Sequence, residues 1–187
     1  MVYDANGKVN KIIDDFRADF ARTSGSTREK YVKELPAGAR VPEQNKIFDS
    51  EEVSAFSERA NKYRQDATDI LNRCLDDISK AKAESPSSEA VNVLTLMSAR
   101  QNVTADELSD VIRNYGSNYQ VYRSCQDISV KNNLGRLADH PLQAKEQSIN
   151  DLQSNLNRLF TYSDACKNAN GGFYSFIQMA VDNALSE

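Results

Sequence analysis

The side chains that could do nucleophilic, proton-transfer or metal chemistry are few in these 187 residues. His140 is the sole histidine, and it stands beside Pro141 in a predicted turn. A Ser-His-Asp or Cys-His site would have to be built on it, since no other side chain titrates near neutrality without a large perturbation. Its position instead reads as a loop residue that helps to start the following helix. Cys74, Cys125 and Cys166 are odd in number, widely spaced and free of any CxxC pair. That spacing argues against a zinc site and a disulfide framework, and for a reducing cytoplasm. Cys74 and Cys125 fall on apolar helix faces, where cysteine acts as a small hydrophobe, while Cys166 lies near a loop and is expected to be the more exposed. Asp14, Asp15 and Asp19, and again Asp66, Asp69, Asp76 and Asp77, could offer oxygens to a divalent cation from helix surfaces. Carboxylate sites in helical bundles use inward-pointing Glu with an E-x-x-H pair, which this chain lacks, so these aspartates read as solvated faces. Neither GxxxxGK[ST] nor GxGxxG occurs, so the common phosphate cradles are missing. No catalytic residue, cofactor site or metal site is expected.

What remains is surface chemistry. Tyr115, Tyr119 and Tyr122 recur at helical spacing and could form an interface stripe, because tyrosine is large, stiff and polar at its tip. Core packing with the hydroxyls reaching outward competes with that reading. Arg123 beside them raises a helix-turn-helix, Thr104–Tyr115 followed by Ser117–Lys131. Its second helix holds only Arg123 and Lys131 as cations, and the turn glycine falls several residues from where that motif places it. The charge balance agrees: +2 over residues 1–48, −3 over 49–84, −1 over 85–135 and −2 over 136–187. No segment has the basic excess that draws a phosphate backbone, so nucleic acid is not an expected partner.

These residues are positioned by helices. Glu51 to Lys82 carries Val53, Phe56, Ala60, Tyr63, Ala67, Ile70 and Cys74 in alternating steps of three and four, the seam of a long amphipathic helix, with Leu71, Leu75 and Ile78 widening it. An earlier helix, about Lys8 to Lys33, presents Val9, Ile12, Ile13, Phe16 and Phe20, with an expected break at Thr23–Thr27. Leu35 to Phe48 contains Pro36, Gly38 and Pro42 and reads as an extended arm that Val41, Ile47 and Phe48 could pin to its own core or to a neighbour. Three short helices follow between Pro86 and Lys131: one with Ala90, Val91, Leu94 and Met97 inward, one capped by the Thr104/Glu107 box, and one stopped at Leu134-Gly135. Asp139 can cap a helix that starts at Pro141 and carries Leu142, Ile149, Leu152, Leu156, Leu159 and Phe160. After a turn at Asn168–Gly172, Phe173, Phe176, Ile177, Ala180, Val181 and Leu185 mark the last helix. With no credible strand the class is all-α: an elongated bundle with one long central helix and a compact cluster of short ones. The divisions are 1–48 (helix and arm), 49–84 (long helix), 85–135 (three-helix cluster) and 136–187 (helical hairpin), within one domain. No apolar run reaches the roughly 18 residues of a membrane span, and Met1-Val2-Tyr3-Asp4 does not read as a signal peptide.

The run from Thr104 to Arg123, TADELSDVIRNYGSNYQVYR, resembles a segment of small helical proteins from tailed-phage structural gene clusters. That resemblance implies a non-enzymatic, head-associated or scaffold-like assembly protein, virion-associated or cytoplasmic, with no catalytic residues to carry over. The expected activity is protein–protein interaction, through self-association or a virion component. Val41, Ile47, Phe48, Tyr115, Tyr119, Tyr122, Phe173, Phe176 and Ile177 are the candidate contacts. A binder that inhibits a host protein and a helix-turn-helix regulator are the alternatives.

Overall fold

The computed structural model describes residues 4–34, 51–160 and 172–185, with side chains for 4–23, 54–160 and 174–185. Among the described residues there are seven helices and no strand: α1 (Ala5–Glu34), α2 (Glu51–Ala83), α3 (Ser88–Ala99), α4 (Ala105–Tyr115), α5 (Tyr119–Lys131), α6 (Pro141–Leu159) and α7 (Gly172–Leu185). The fold is all-α. Val41, Ile47 and Phe48 in the arm, Cys166, and the turn before Gly172 lie outside the described residues. None of the described helices is long and apolar enough to cross a membrane.

The chain divides into two compact units, one of Met1–Arg73 with Ser148–Glu187 and one of Cys74–Gln147. The divisions fall inside α2 and α6 rather than in the connections.

In the first unit α1 buries Val9, Ile13, Phe16 and Phe20 on one face. It does not break at Thr23–Thr27: a single helical glycine costs about 1 kcal/mol, which is too little to stop a helix of 30 residues without a proline. Phe16 is the hub, with ring centroids 5.6 Å from Phe56, 5.8 Å from Tyr63 and 5.0 Å from Phe160. As α1 advances from Phe16 to Phe20, its contacts on α2 retreat from Tyr63 to Phe56, so the two run antiparallel. A polar ladder on its other side, Asn6 to Asp182, Asp14 to Gln178 and Arg17 over the Tyr174 ring, makes α7 antiparallel to α1 as well. From α6, Ile149, Leu152, Leu156 and Leu159 face this core in steps of three, four and three.

Along α2, Phe56, Ala60 and Ala67 are buried as expected, but farther on Leu71 is fully buried while Ile70 and Cys74 are only half-buried. A straight helix drifts by about 20° per heptad against a 3.5-residue seam, and two heptads carry the buried position from 70 to 71.

The second unit is built on a three-helix core of Ala90, Leu94, Met97, Val103, Leu108, Val111, Val121, Cys125 and Ile128. Its turns are set by local chemistry. Ser87 caps α3 by accepting the Ala90 N–H. Thr104 and Glu107 close the expected reciprocal capping box. Asn118 caps α5 by accepting from Gln120 and Val121. The stop of α5 is not Gly135 but Asn133, which turns left-handed at φ 56°. Leu134 N–H then returns to Ser129 O at 2.9 Å and Asn133 N–H to Val130 O at 3.2 Å, a Schellman closure with asparagine in the usual glycine place.

Candidate functional site

The tyrosine stripe turns inward more than outward. Tyr115 packs on the second unit's core, and its hydroxyl, paired with Glu89, is held above the ordinary phenol range. Tyr119 and Tyr122 are half-buried and set their rings edge-on to His140, at 5.3 and 5.1 Å. The Tyr122 hydroxyl donates to Ala138 O at 2.7 Å. Lys82 lies 5.0 Å from the Tyr119 ring centroid and donates to Glu146 at 2.5 Å.

His140 is therefore a buried organiser, 4% exposed. Its Nε2 faces Gly116 O at 3.1 Å and its Nδ1 accepts the Leu142 N–H at 3.1 Å. Its own carbonyl accepts the next free amides, those of Gln143 and Ala144. It caps α6 in place of Asp139, whose carboxylate accepts from Arg136 at 3.4 Å. The ring fits where Asp139 would not, because it can satisfy a helix amide and a loop carbonyl at once.

Of the predicted carboxylate clusters, none gathers as a metal site among the described residues. Asp15 pairs with Lys11, Asp14 accepts from Gln178, Asp69 accepts from Gln65 and Asp77 from Lys80. Asp19 departs from the solvated reading. It is 3% exposed and accepts from Arg59 Nε at 2.7 Å, Arg59 Nη2 at 3.1 Å and Arg22 Nη2 at 2.6 Å. The Arg59 hydrogen bonds hold its carboxyl below the usual range. Sequence reasoning missed this, although Asp19 stands three residues after Phe16 and one before Phe20, on the edge of the buried face.

The two described cysteines, Cys74 and Cys125, offer little reactivity. Burial raises the Cys125 thiol to about 11 and, more modestly, the half-buried Cys74 thiol. Neither has the electropositive setting of a nucleophile.

Of the six large apolar side chains exposed among the described residues, four lie on α3 and α7; the other two are Val130 on α5 and Leu134 just after it. In α7 the buried positions are Tyr174, Ile177, Val181 and Ala184, while Phe176 is 47% and Met179 56% exposed. Ile177 is thus fully buried in its own unit, and Phe176 remains at the surface; the Phe173 side chain lies outside the described ones. Phe176 borders a groove of about 460 Å³ shared with Asp151, Leu152, Asn155, Ala180 and Asn183. In α3, Val91 was expected inward but is 45% exposed, and Leu96 is 69% exposed. The buried stripe of Ala90, Leu94 and Met97 fills one side of α3, and Val91, one position past it, is rotated out. Comparison with known proteins adds no constraint on these surfaces: no protein family, curated protein or solved structure matches the chain.

Proposed function

We propose that the chain works without catalysis, as a helical protein that binds another protein surface, with self-association into an assembly as its leading form. One observation carries this reading. Helix α3 has one charged residue in 12, Glu89, and α7 one in 14, Asp182, in a chain that is 27% charged. An outer helix side that carries large apolar side chains and almost no charge is suited to being covered. Each helix covers one side in its own unit and leaves large apolar side chains on the other. Covering two such side chains removes roughly 200 Å² from water, about 5 kcal/mol at 25 cal/mol per Å². An isologous contact doubles that to about 10 kcal/mol, within the range that association itself costs. Either face alone therefore supports weak, concentration-dependent pairing, and a tight complex needs more surface than these residues supply. A virion component, the class implied by the Thr104–Arg123 segment, is one such assembly.

A groove-reading role for α5 is less well supported. The first turn of that helix, which would have to enter DNA, is held by its own chain: Asn118 donates to Glu84 O at 3.0 Å and Gln120 to Lys82 O at 2.7 Å. Lys131, one of its two cations, donates to Ser98 O.

Light scattering across a wide concentration range tests the proposal on the full chain, with Leu96→Glu and Met179→Glu as variants. The wild type should gain mass with concentration, and at least one variant should stay monomeric with unchanged helical content. A wild type that is monomeric throughout overturns self-association and favours one-to-one binding to a host protein.

A further inference from the structure

We propose that α7 pairs, parallel and in register, with the α7 of a second copy of the chain, each helix lying over the other copy's α6–α7 groove. The pairing rests on the self-association reading and gives it a surface and a geometry. Phe176, Met179 and Asn183 are all exposed and follow one another in steps of three and four, so they fall within about 60° of arc around α7. They make a second seam, on the side away from the buried Tyr174, Ile177, Val181 and Ala184. Helix α3 has no such seam, since Val91 and Leu96 stand about 140° apart around it. The one charge on α7, Asp182, is turned from the seam to α1, where it accepts from Asn6 at 3.0 Å.

The residue types choose the occupant. In a parallel pair a lone asparagine at a seam position meets its own counterpart, and the two amides hydrogen-bond each other. Slipped or inverted, each would face an apolar side chain instead. Asn183 is such a residue, and another α7 in register is what brings a second one to it.

The groove then decides where the second α7 lies. Phe176, Ala180 and Asn183 form one wall, Asp151 and Asn155 of α6 the other, with Leu152 beneath. A helix laid over the groove is equally far from α6 and α7. Were the copies related by an axis across these helices, the α6 of each would fall on that of the other. An axis along the helices keeps them apart, and it is the axis of a parallel pair. The two apolar seam side chains alone cover roughly 200 Å² per copy, too little for a specific complex. A 14-residue helix, about 21 Å long and 10 Å wide, half sunk between two others, brings the total for both copies to about 1,000 Å², where specific interfaces begin. Both grooves fill at once, so the assembly closes at two copies.

Light scattering and cross-linking test the pair on the full chain, with helical content checked by circular dichroism. The wild-type mass should rise with concentration towards twice that of one chain and go no higher. Met179→Glu should raise the dissociation constant at least about tenfold, while Leu96→Glu leaves it unchanged. Asn183→Leu should tighten association and let the mass pass two copies, because a seam asparagine fixes the number of helices at a cost in stability. Asn183→Cys, oxidised with diamide, should form a disulfide between position 183 of one copy and position 183 of the other, located by peptide mapping. A wild type that stays monomeric overturns the pair together with the reading it rests on. Growth beyond two copies, association abolished by Leu96→Glu but not by Met179→Glu, or an Asn183→Cys chain that does not link 183 to 183 overturns the α7 pair alone and leaves self-association standing.

Discussion

Replacing Asp19 by Asn should cost about 2 kcal/mol at neutral pH, and the loss should disappear in acid. The carboxylate is 3% exposed and takes three charge-assisted hydrogen bonds from two arginines. Bonds of this kind are worth roughly 1.5–3 kcal/mol each when both partners are buried. Here the Arg59 side chain is 44% exposed and that of Arg22 77%, so solvent screening reduces both. The Arg22 arm belongs with surface pairs at about 0.5 kcal/mol. The bidentate Arg59 arm, seated against the Phe56 ring and also reaching Thr23, keeps about 1.5 kcal/mol. Because the arginines hold the folded-state carboxyl below its unfolded range, this stability is present above about pH 4 and is lost as pH falls through the lowered folded value. The assay is urea unfolding of wild type, Asp19→Asn, Arg59→Gln and the double variant at pH 7 and pH 3. A coupling energy of about 1–2 kcal/mol should appear at pH 7 and shrink at pH 3. Coupling below about 0.5 kcal/mol at pH 7, or an equal coupling at both pH values, refutes the claim that charge pairing at Asp19 supports the first unit.

Two further substitutions test local features. Among the described residues the buried Tyr174 hydroxyl has no hydrogen-bond partner, so Tyr174→Phe should leave stability unchanged or raise it by up to about 1 kcal/mol in thermal unfolding; a clear loss would mean that the hydroxyl does have a partner. At Asn133 the left-handed backbone predicts that Asn133→Ala costs about 1 kcal/mol while Asn133→Gly is neutral or stabilising, again read from unfolding midpoints.

Much of the helical content was legible because it follows from local rules. The Thr104/Glu107 box and Pro141 at the first turn of α6 each need only a few consecutive residues to act. Errors arose where a local signal had a near-equal competitor. Asp139 is the stronger capping residue by propensity, yet His140 holds the position because it also bonds across the fold to Gly116. That second bond is long-range, so no pattern in the surrounding sequence announces it. Asp19 is a similar case, since its partner Arg59 lies 40 residues away.

The surface faces of α3 and α7 show a different limit. Periodicity finds a buried stripe most readily by contrast with charged neighbours, and these two helices have one charged residue each. In α7, Phe176, Ala180 and Leu185 fit the apolar pattern as well as Tyr174 and Ala184 do, and only packing shows that Tyr174, Ile177, Val181 and Ala184 face the core. In α3, Val91 was placed inward for the same reason and Leu96 escaped notice. The lost contrast is itself informative. A chain that keeps 27% charged residues yet leaves the outer faces of two helices nearly uncharged forgoes solubility at those positions, which is the physical argument for a partner there. It also fixes the most discriminating perturbation: a charge at Leu96 or at Met179 should leave the fold intact, and at one of the two sites at least it should remove the proposed association, whereas the same charge at Leu94 or Ile177 should unfold the unit that contains it.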